Sequence, residues 1–115
     1  MRRPLSLAKG SQFDGVYSRG SVFAGPFFVL RALRSDDQSE RWGFAVGKRQ
    51  WPRSTDRNRI RRRLRAAAVA VSGESGWSYV LTARPRCERL AMEASIAELR
   101  RLVSKAHSSV GAKSV

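Results

Sequence analysis

The chain has 115 residues, of which 23 are lysine or arginine and nine are aspartate or glutamate, for a formal net charge of +14 at pH 7. This length fits a single domain, and a hydrophobic share of 42% is enough for a compact core, which excludes a wholly disordered basic tail. No apolar run approaches the roughly 20 residues of a membrane-spanning helix, and so large an excess of positive charge indicates a polyanionic partner.

The two ends of the chain are expected to be loose. Residues 1–7 are predicted to form a basic arm, and they lack the apolar segment of a secretory signal. Residues 107–115 carry no periodicity and are expected to fray. The single cysteine, Cys87, excludes an internal disulfide and suits a reducing compartment, so the cytoplasm is the expected location.

A short helix is predicted at residues 11–18. Phe13, Val16 and Tyr17 recur at helical spacing there, and Gly20 follows as a stop signal.

Strands are expected next. Residues 21–23 could form a short strand, and residues 27–33 a second one that is apolar on both faces. A polar turn at residues 35–40 separates it from a third strand at residues 41–46. The second and third strands are therefore predicted to pair as an antiparallel hairpin.

A strongly basic helix is predicted after Pro52. Nine of the eighteen residues from Lys48 to Arg65 are basic and one is acidic. The N-cap candidates are Ser54, Thr55 and Asp56. A narrow apolar stripe recurs at helical spacing, and its members are Ile60, Leu64, Ala67 and Val71. The opposite side of the helix is then a wide cationic face.

The last two elements are a strand at residues 77–83 and a helix from about Leu90 to Ala106, with an apolar side that includes Met92 and Leu99. The element order is thus α-β-β-β-α-β-α. This order, with a helical crossover before the fourth strand, predicts an α+β fold built as a two-layer α/β sandwich.

Catalytic machinery is not visible in the sequence. His107 is the only histidine and falls in the expected tail, and the lone Cys87 cannot supply the four ligands of a zinc site. Asp36 and Asp37 could hold Mg²⁺, but neighbouring aspartates in a polar turn are better read as a solvated turn. We therefore expect no catalytic residue and no protein-held metal.

The cationic helix favours nucleic-acid binding over an ordinary solvated surface. Solvated helix faces normally mix the two signs of charge, whereas residues 57–65 contain six arginines and no acid. Phe13 and Tyr17, one helical turn apart and near basic residues, could stack with the bases of a single strand. The alternative is that both rings simply pack on the sheet.

Several segments resemble the protein component of bacterial ribonuclease P. The string from Arg57 to Arg62 resembles the Arg-Asn-Arg motif of that family. The segments that agree in order and spacing are Phe13 with Val16-Tyr17 and Gly20, Phe28-Val29-Leu30, Gly43-Phe44-Ala45-Val46-Gly47-Lys48-Arg49, Tyr79-Val80-Leu81-Thr82-Ala83-Arg84-Pro85, and Glu98-Leu99. The resemblance covers about residues 5–105.

The resemblance implies a function in tRNA 5′ maturation. The family is part of a ribonucleoprotein endonuclease that removes the 5′ leader of precursor tRNA, with cleavage by the RNA and Mg²⁺ held mainly by the RNA. The implied partners are that catalytic RNA, with one protein per RNA, and precursor tRNA. The implied fold includes a left-handed β-α-β crossover, against the usual right-handed preference.

Two surfaces are implied by matching positions. The surface that binds the catalytic RNA would consist of Lys48, Arg49, Arg57, Asn58, Arg59, Arg62 and Arg63. The cleft that binds the single-stranded leader would consist of Phe13, Tyr17, Val29, Arg31, Ala45, Arg61, Arg65 and Arg84.

This chain departs from the family pattern at two places. Arg31 stands where an aromatic residue can occur, so a guanidinium contact is expected to replace base stacking there. Residues 51–55, Trp-Pro-Arg-Ser-Thr, replace the usual run before the motif, so the resemblance does not determine the path of this loop. Two other functions remain open, a general RNA-binding or ribosome-associated protein and, less favoured, a small nuclease that acts alone.

Overall fold

The computed structural model describes residues 5–6, 10–34, 40–71 and 76–113. The elements are β1 (Leu5–Ser6), α1 (Gly10–Arg19), β2 (Ser21–Ala24), β3 (Phe28–Arg34), β4 (Glu40–Ala45), α2 (Ser54–Val71), β5 (Trp77–Ala83) and α3 (Met92–Lys113), with a short 3-10 turn at Cys87–Arg89 before α3. The mixed α+β fold and the order of its main elements are therefore confirmed.

The strands form one sheet in the order β1-β4-β5-β3-β2. β5 lies between β3 and β4, antiparallel to the first and parallel to the second. The predicted hairpin of the second and third strands is therefore wrong, and the antiparallel hairpin is instead β2–β3. The choice of partner is not local, because β5, which lies between β3 and β4 in the sheet, follows both of them in the chain, after α2. The turn expected at residues 35–40 lies outside the described residues except for Glu40, which begins β4.

The parallel pair β4 and β5 is joined through α2, which confirms the predicted helical crossover. Its left-handed sense stays an expectation from the resemblance. The expected loose arm is wrong at Leu5 and Ser6, because these residues pair in parallel with Arg41 and Trp42 of β4.

The two faces of the sheet carry different layers. Side chains alternate along β3, so Phe28, Leu30 and Ala32 enter the main core with α2 and α3. Val16 of α1 instead packs with Val80 on the opposite face. Thus α2 and α3 form the main helical layer, and α1 lies alone across the sheet from them.

Helix α2 is held to the sheet by the stripe that the sequence predicts. Ile60, Leu64 and Ala67 are buried, Ala68 joins them, and Val71 packs against the same core. The three N-cap candidates lie inside the first turn, because the helix begins at Ser54 and the Arg57 amide donates to the carbonyl of Arg53. That backbone bond places the cap at Arg53, so the predicted cap is wrong.

Helix α3 is longer than its hydrophobic pattern predicts. It runs to Lys113 and includes His107, which the sequence places in a frayed tail. The His107 ring lies 4.9 Å from the ring of Trp77, and its Nε2 is hydrogen-bonded to the Tyr79 hydroxyl at 2.7 Å. These contacts come from β5, which is distant in sequence, so the local pattern could not predict them.

Gly20 allows the close approach of α1 to the sheet. Its amide donates to the Val16 carbonyl at 2.8 Å. A Cβ on Gly20 would lie 2.4 Å from that carbonyl oxygen and 3.1 Å from the carbonyl oxygen of Ala32.

We expect Gly20→Ala to lower the free energy of unfolding by about 1–3 kcal/mol, because two backbone oxygens must move to admit the methyl group. The matched control is Gly47→Ala, since nothing lies within 4 Å of a Cβ at Gly47, and its effect should stay within about 0.5 kcal/mol. Urea unfolding measures both variants. Equal midpoints for the two would contradict this view of the α1 packing.

Burial makes Cys87 an inert thiol. The residue is 4% exposed. Burial, with the nearby Glu88 carboxylate, raises the pKa of the Cys87 thiol from its ordinary 9.0 to about 11. The folded state therefore keeps the proton over a range in which the unfolded chain loses it, and the contribution of this group to stability declines as the pH rises from 9 towards 11.

At pH 8 the native protein should react with iodoacetamide at least about 100-fold more slowly than the guanidinium-unfolded chain, because only the thiolate reacts and its fraction falls tenfold per pKa unit. Mass spectrometry of quenched samples measures the rates. Similar rates in the two states would show that Cys87 is neither buried nor protonated.

Candidate nucleic-acid interface

Helix α2 presents its arginines on three sides around the buried stripe. We call Arg57, Arg61 and Arg65 the β4 flank, because they succeed one another every four residues on the side nearest β4. Arg59 and Arg63 form the turn flank on the other side of the stripe. Asn58 and Arg62 form the outer ridge, and both are exposed.

Arg57 fastens the loop that leads into the helix. Its Nη1 donates to the carbonyls of Trp51 at 2.9 Å and Pro52 at 2.8 Å. Trp51 is buried in the main core, and its amide donates to the Gly47 carbonyl. Residues 51–55, which differ from the family pattern, therefore form a loop that is fixed in two ways. The buried Trp51 side chain anchors it in the core, and Arg57 holds it through hydrogen bonds to its carbonyls.

The rest of the β4 flank stays close to β4. The Arg65 guanidinium lies 5.9 Å from the ring centroid of Phe44, and Arg65 is exposed. Arg61 is half-buried and donates to the Asn58 side-chain oxygen at 3.2 Å.

The turn flank faces the segment after β5. Arg63 is half-buried, and its guanidinium donates to the Leu90 carbonyl. A small cavity is lined by Ile60, Arg63 and Leu64 from α2 together with Cys87 and Glu88. The 3-10 turn at Cys87–Arg89 therefore packs directly against this side of the helix.

The carboxylates of the described segments do not neutralise the charge of α2. Within residues 5–6, 10–34, 40–71 and 76–113, no carboxylate forms an ion pair with any of the six arginines from Arg57 to Arg65. Lys48 and Arg49 are exposed in the turn that follows β4, and their charges add to the positive electrostatic potential around α2. An uncompensated set of guanidinium groups of this kind fits the phosphates of a nucleic acid.

A second surface lies on the α1 face of the sheet. Strand register and alternation place Val29 and Arg31 of β3 and Ala45 of β4 on this face. The Arg31 guanidinium lies 4.7 Å from the ring centroid of Tyr17, and its Nη1 donates to the Thr82 hydroxyl at 3.4 Å.

The two aromatic rings of α1 have different environments. Phe13 packs with Ala45 against Val16 and Val80, as an ordinary core contact. Tyr17 is 45% exposed and touches Arg31. Core packing is thus sufficient to explain an aromatic residue at position 13, whereas the exposed ring of Tyr17 is accessible to a ligand.

The structure divides the eight residues that the sequence grouped as one cleft. Five lie together on the α1 face, namely Phe13, Tyr17, Val29, Arg31 and Ala45. Arg61 and Arg65 belong to the α2 layer, and Arg65 approaches Phe44, whose side chain points away from that of its neighbour Ala45. Arg84 lies at the end of β5, where its Nη1 donates to the Gly25 carbonyl at 3.0 Å.

Sequence analysis missed three residues on the α1 face. Val22 and Ala24 of β2 pair with Arg31 and Val29, and Thr82 pairs with Val29 from β5. Val22 is 55% exposed. Alternation in β2 could have indicated the first two, but Thr82 needed the position of β5 in the sheet.

Metal and catalytic groups are sparse in the described segments. No three histidine, cysteine, aspartate or glutamate side chains lie together there so as to hold a metal ion. His107 is engaged with Tyr79 and Trp77 rather than with a nucleophile. None of the helices in these segments is both long and apolar enough to cross a bilayer.

Comparison with known sequences agrees with these features. A family model described as Ribonuclease P matches residues 1–107. The ribonuclease P protein component of Dehalococcoides mccartyi is 29% identical over 103 residues, which cover 90% of this chain and 82% of the relative. The corresponding protein of Brevibacillus brevis is 34% identical over 97 residues, which cover 82% of this chain and 76% of the relative.

Solved structures match the fold. The RNase P protein of Staphylococcus aureus aligns with a TM-score of 0.74 at 22% identity, over 88% of this chain and 94% of that chain. The RNase P protein from Thermotoga maritima aligns with a TM-score of 0.71 at 20% identity, over 81% of this chain and 89% of that chain. Because the family model spans most of the sequence and the fold is shared, this chain belongs to the ribonuclease P protein family.

Proposed function

We propose that this chain binds the catalytic RNA of ribonuclease P and the single-stranded 5′ leader of precursor tRNA, and so assists Mg²⁺-dependent removal of the leader by the RNA. One protein molecule would act with one RNA, in the cytoplasm. The observation that carries the proposal is a set of arginines on α2 that have no carboxylate partner among the described residues, together with a separate face that exposes Tyr17.

The catalytic RNA would contact the outer ridge and the turn flank of α2. Arg59 and Arg62 are exposed and free of protein partners within the described segments, so they can make bidentate contacts with phosphates. Lys48 and Arg49 extend this surface beyond the N-terminal end of the helix. Arg57 and Arg63 donate to backbone carbonyls, and their main contribution is to hold the basic surface in place.

The leader would lie on the α1 face. An unstacked base on Tyr17 would contribute roughly 1–3 kcal/mol, and every base offers a ring face, so the contact tolerates many leader sequences. Arg31 is held between Tyr17 and Thr82, where its charge attracts the leader backbone. The Arg31 guanidinium, which lies over the Tyr17 ring, thus takes the place of the aromatic residue that can occur at position 31 in the family.

Mg²⁺ is assigned to the RNA in this proposal. In the described part of the chain no three histidine, cysteine, aspartate or glutamate side chains lie together so as to hold a metal ion, so no step is given to a protein-held metal. The protein acts by position, because holding the leader fixes the scissile phosphate relative to the RNA active centre and lowers the entropic cost of reaching it.

Reconstitution with a bacterial catalytic RNA tests the function. At low Mg²⁺ concentration the protein should increase affinity for leader-bearing precursor tRNA and change affinity for mature tRNA little, because only the precursor reaches the α1 face. Tyr17→Ala should reduce this preference by about 5- to 100-fold, the equivalent of one lost stack. Measured dissociation constants for the two RNAs give the preference.

The alternatives predict different results. Equal effects on precursor and mature tRNA would favour a general RNA-binding protein. Metal-dependent cutting by the protein without RNA would favour a nuclease. Val22→Ala is a control on the same face, since it removes exposed apolar surface without a ring, and it should leave most of the preference intact.

The arginines of α2 should separate into two classes by mutation. Arg59→Ala with Arg62→Ala should lower the salt slope of binding to the catalytic RNA by about 1.4–1.8, since each phosphate contact contributes about 0.7–0.9. Stability should change little. Arg57→Ala should instead lower the free energy of unfolding by about 1–2 kcal/mol, because two loop carbonyls lose a charged donor.

Salt titrations of RNA binding and urea unfolding of the free protein measure the two effects. A wild-type salt slope for the Arg59 and Arg62 double variant would mean that the outer side of α2 does not contact RNA. Unchanged stability of Arg57→Ala would mean that its bonds to the loop carbonyls are not important in solution.

A further inference from the structure

A second group of arginines lies beside α2, in the segment that follows β5. Arg86 and Arg89 are both exposed, one before the 3-10 turn and one at its end. The turn itself is anchored, because Cys87 is buried and the Leu90 carbonyl accepts from Arg63. The two exposed arginines are therefore presented by a packed turn and not by a free tail.

The backbone at this place is unusual. Arg86 has φ of 74° and ψ of 0°, and it is the one residue other than glycine with positive φ in the described ranges. A left-handed conformation is unfavourable for residues with a Cβ, and residues in such strained conformations cluster at functional sites. Glycine would be the stable choice here, so the presence of arginine needs a reason beyond the turn.

Arg86 and Arg89 also have no ion-pair partner among the described residues. Glu88 stands between the two arginines in sequence and is exposed, but it forms no ion pair with either of them in the segments described. Its carboxylate instead approaches the Cys87 sulfur at 3.9 Å. Arg86 and Arg89 thus add two free cations to the side of α2 that carries Arg59 and Arg63.

We propose that Arg86 and Arg89 bind backbone phosphates of the catalytic RNA and, with the turn flank and outer ridge of α2, form one continuous surface for that RNA. This inference rests on the proposed function and adds residues to it. The cationic surface then extends across two segments that are distant in sequence, α2 and the turn after β5, which are joined by the contact between Arg63 and Leu90.

The position of the turn favours the catalytic RNA over the leader. The turn packs against α2 on the face of the sheet that holds the main core. Tyr17 and Arg31 lie on the opposite face. A strand bound at Arg86 and Arg89 is therefore separated from the α1 face by the sheet, whereas Arg59 and Arg62 are on the same side.

The test uses the double variant Arg86→Gly with Arg89→Ala. Glycine accepts the positive φ of this position, so the thermal midpoint should be unchanged or higher, and any loss of binding cannot come from unfolding. The matched control is Arg100→Ala with Lys105→Ala, which removes two exposed cations from α3 and lowers the net charge equally.

Affinity for the full-length catalytic RNA is measured over a salt series. The Arg86 and Arg89 variant should bind about 10- to 100-fold more weakly at physiological salt, since hydrogen bonds from charged groups are lost. Its salt slope should fall by about 1.4–1.8. The control should bind within about twofold of the wild type, because Arg100 and Lys105 belong to neither of the two segments that form the proposed surface.

Three other outcomes are informative. If the wild type binds the RNA and supports cleavage while the double variant matches the control, this inference is overturned and the proposed function stands. If the wild type does not bind the RNA, the proposed function itself fails, and this inference fails with it. If the variant binds the RNA normally but loses preference for leader-bearing substrate, the two arginines serve the leader and the assignment to the catalytic RNA is wrong.

Discussion

Helix α2 carries six arginines between Arg57 and Arg65, none of which forms an ion pair with a carboxylate of the described segments, and the main core holds this helix in place. Like charges four residues apart repel one another, which disfavours the helix on its own. Burial of Ile60, Leu64 and Ala67 offsets the repulsion. Two of the arginines also stabilise the fold through hydrogen bonds. Arg57 donates to the carbonyls of Trp51 and Pro52, and Arg63 donates to the carbonyl of Leu90.

The two faces of the sheet support two different surfaces of the protein. Its main core face supports α2 and α3, and with them the exposed cations. Its other face carries α1 and the pair of Tyr17 and Arg31. Because β5 runs through the middle of the sheet and touches both layers, the two surfaces are fixed relative to each other. The proposed role, in which the protein holds the leader relative to the catalytic RNA, would require such rigidity, since small displacements reduce the benefit of proximity.

The net charge of +14 affects the stability of the fold as well as the kind of partner that the protein attracts. Self-repulsion among the cations lowers the stability of the free protein. An anion that binds only the native state raises that stability by mass action. RNA binding as proposed above would therefore stabilise the folded state and offset the cost of the positive φ at Arg86 and of the closely spaced arginines of α2.

The sequence by itself determined the main elements, the buried stripe of α2 and the excess of arginine, because these depend on local periodicity and composition. The resemblance also predicted that Tyr17 and Arg31 lie in one leader-binding cleft, and the structure brings the two side chains into contact. Only the tertiary structure decided that β5 enters between β3 and β4 and that His107 packs on Trp77. It also decided that Arg57 and Arg63 bind carbonyls, while Arg59 and Arg62 are exposed and have no side-chain partner among the described residues. The physical reason is that strand partners and hydrogen-bond acceptors come from residues distant in sequence. A local sequence pattern does not specify which of these residues come into contact.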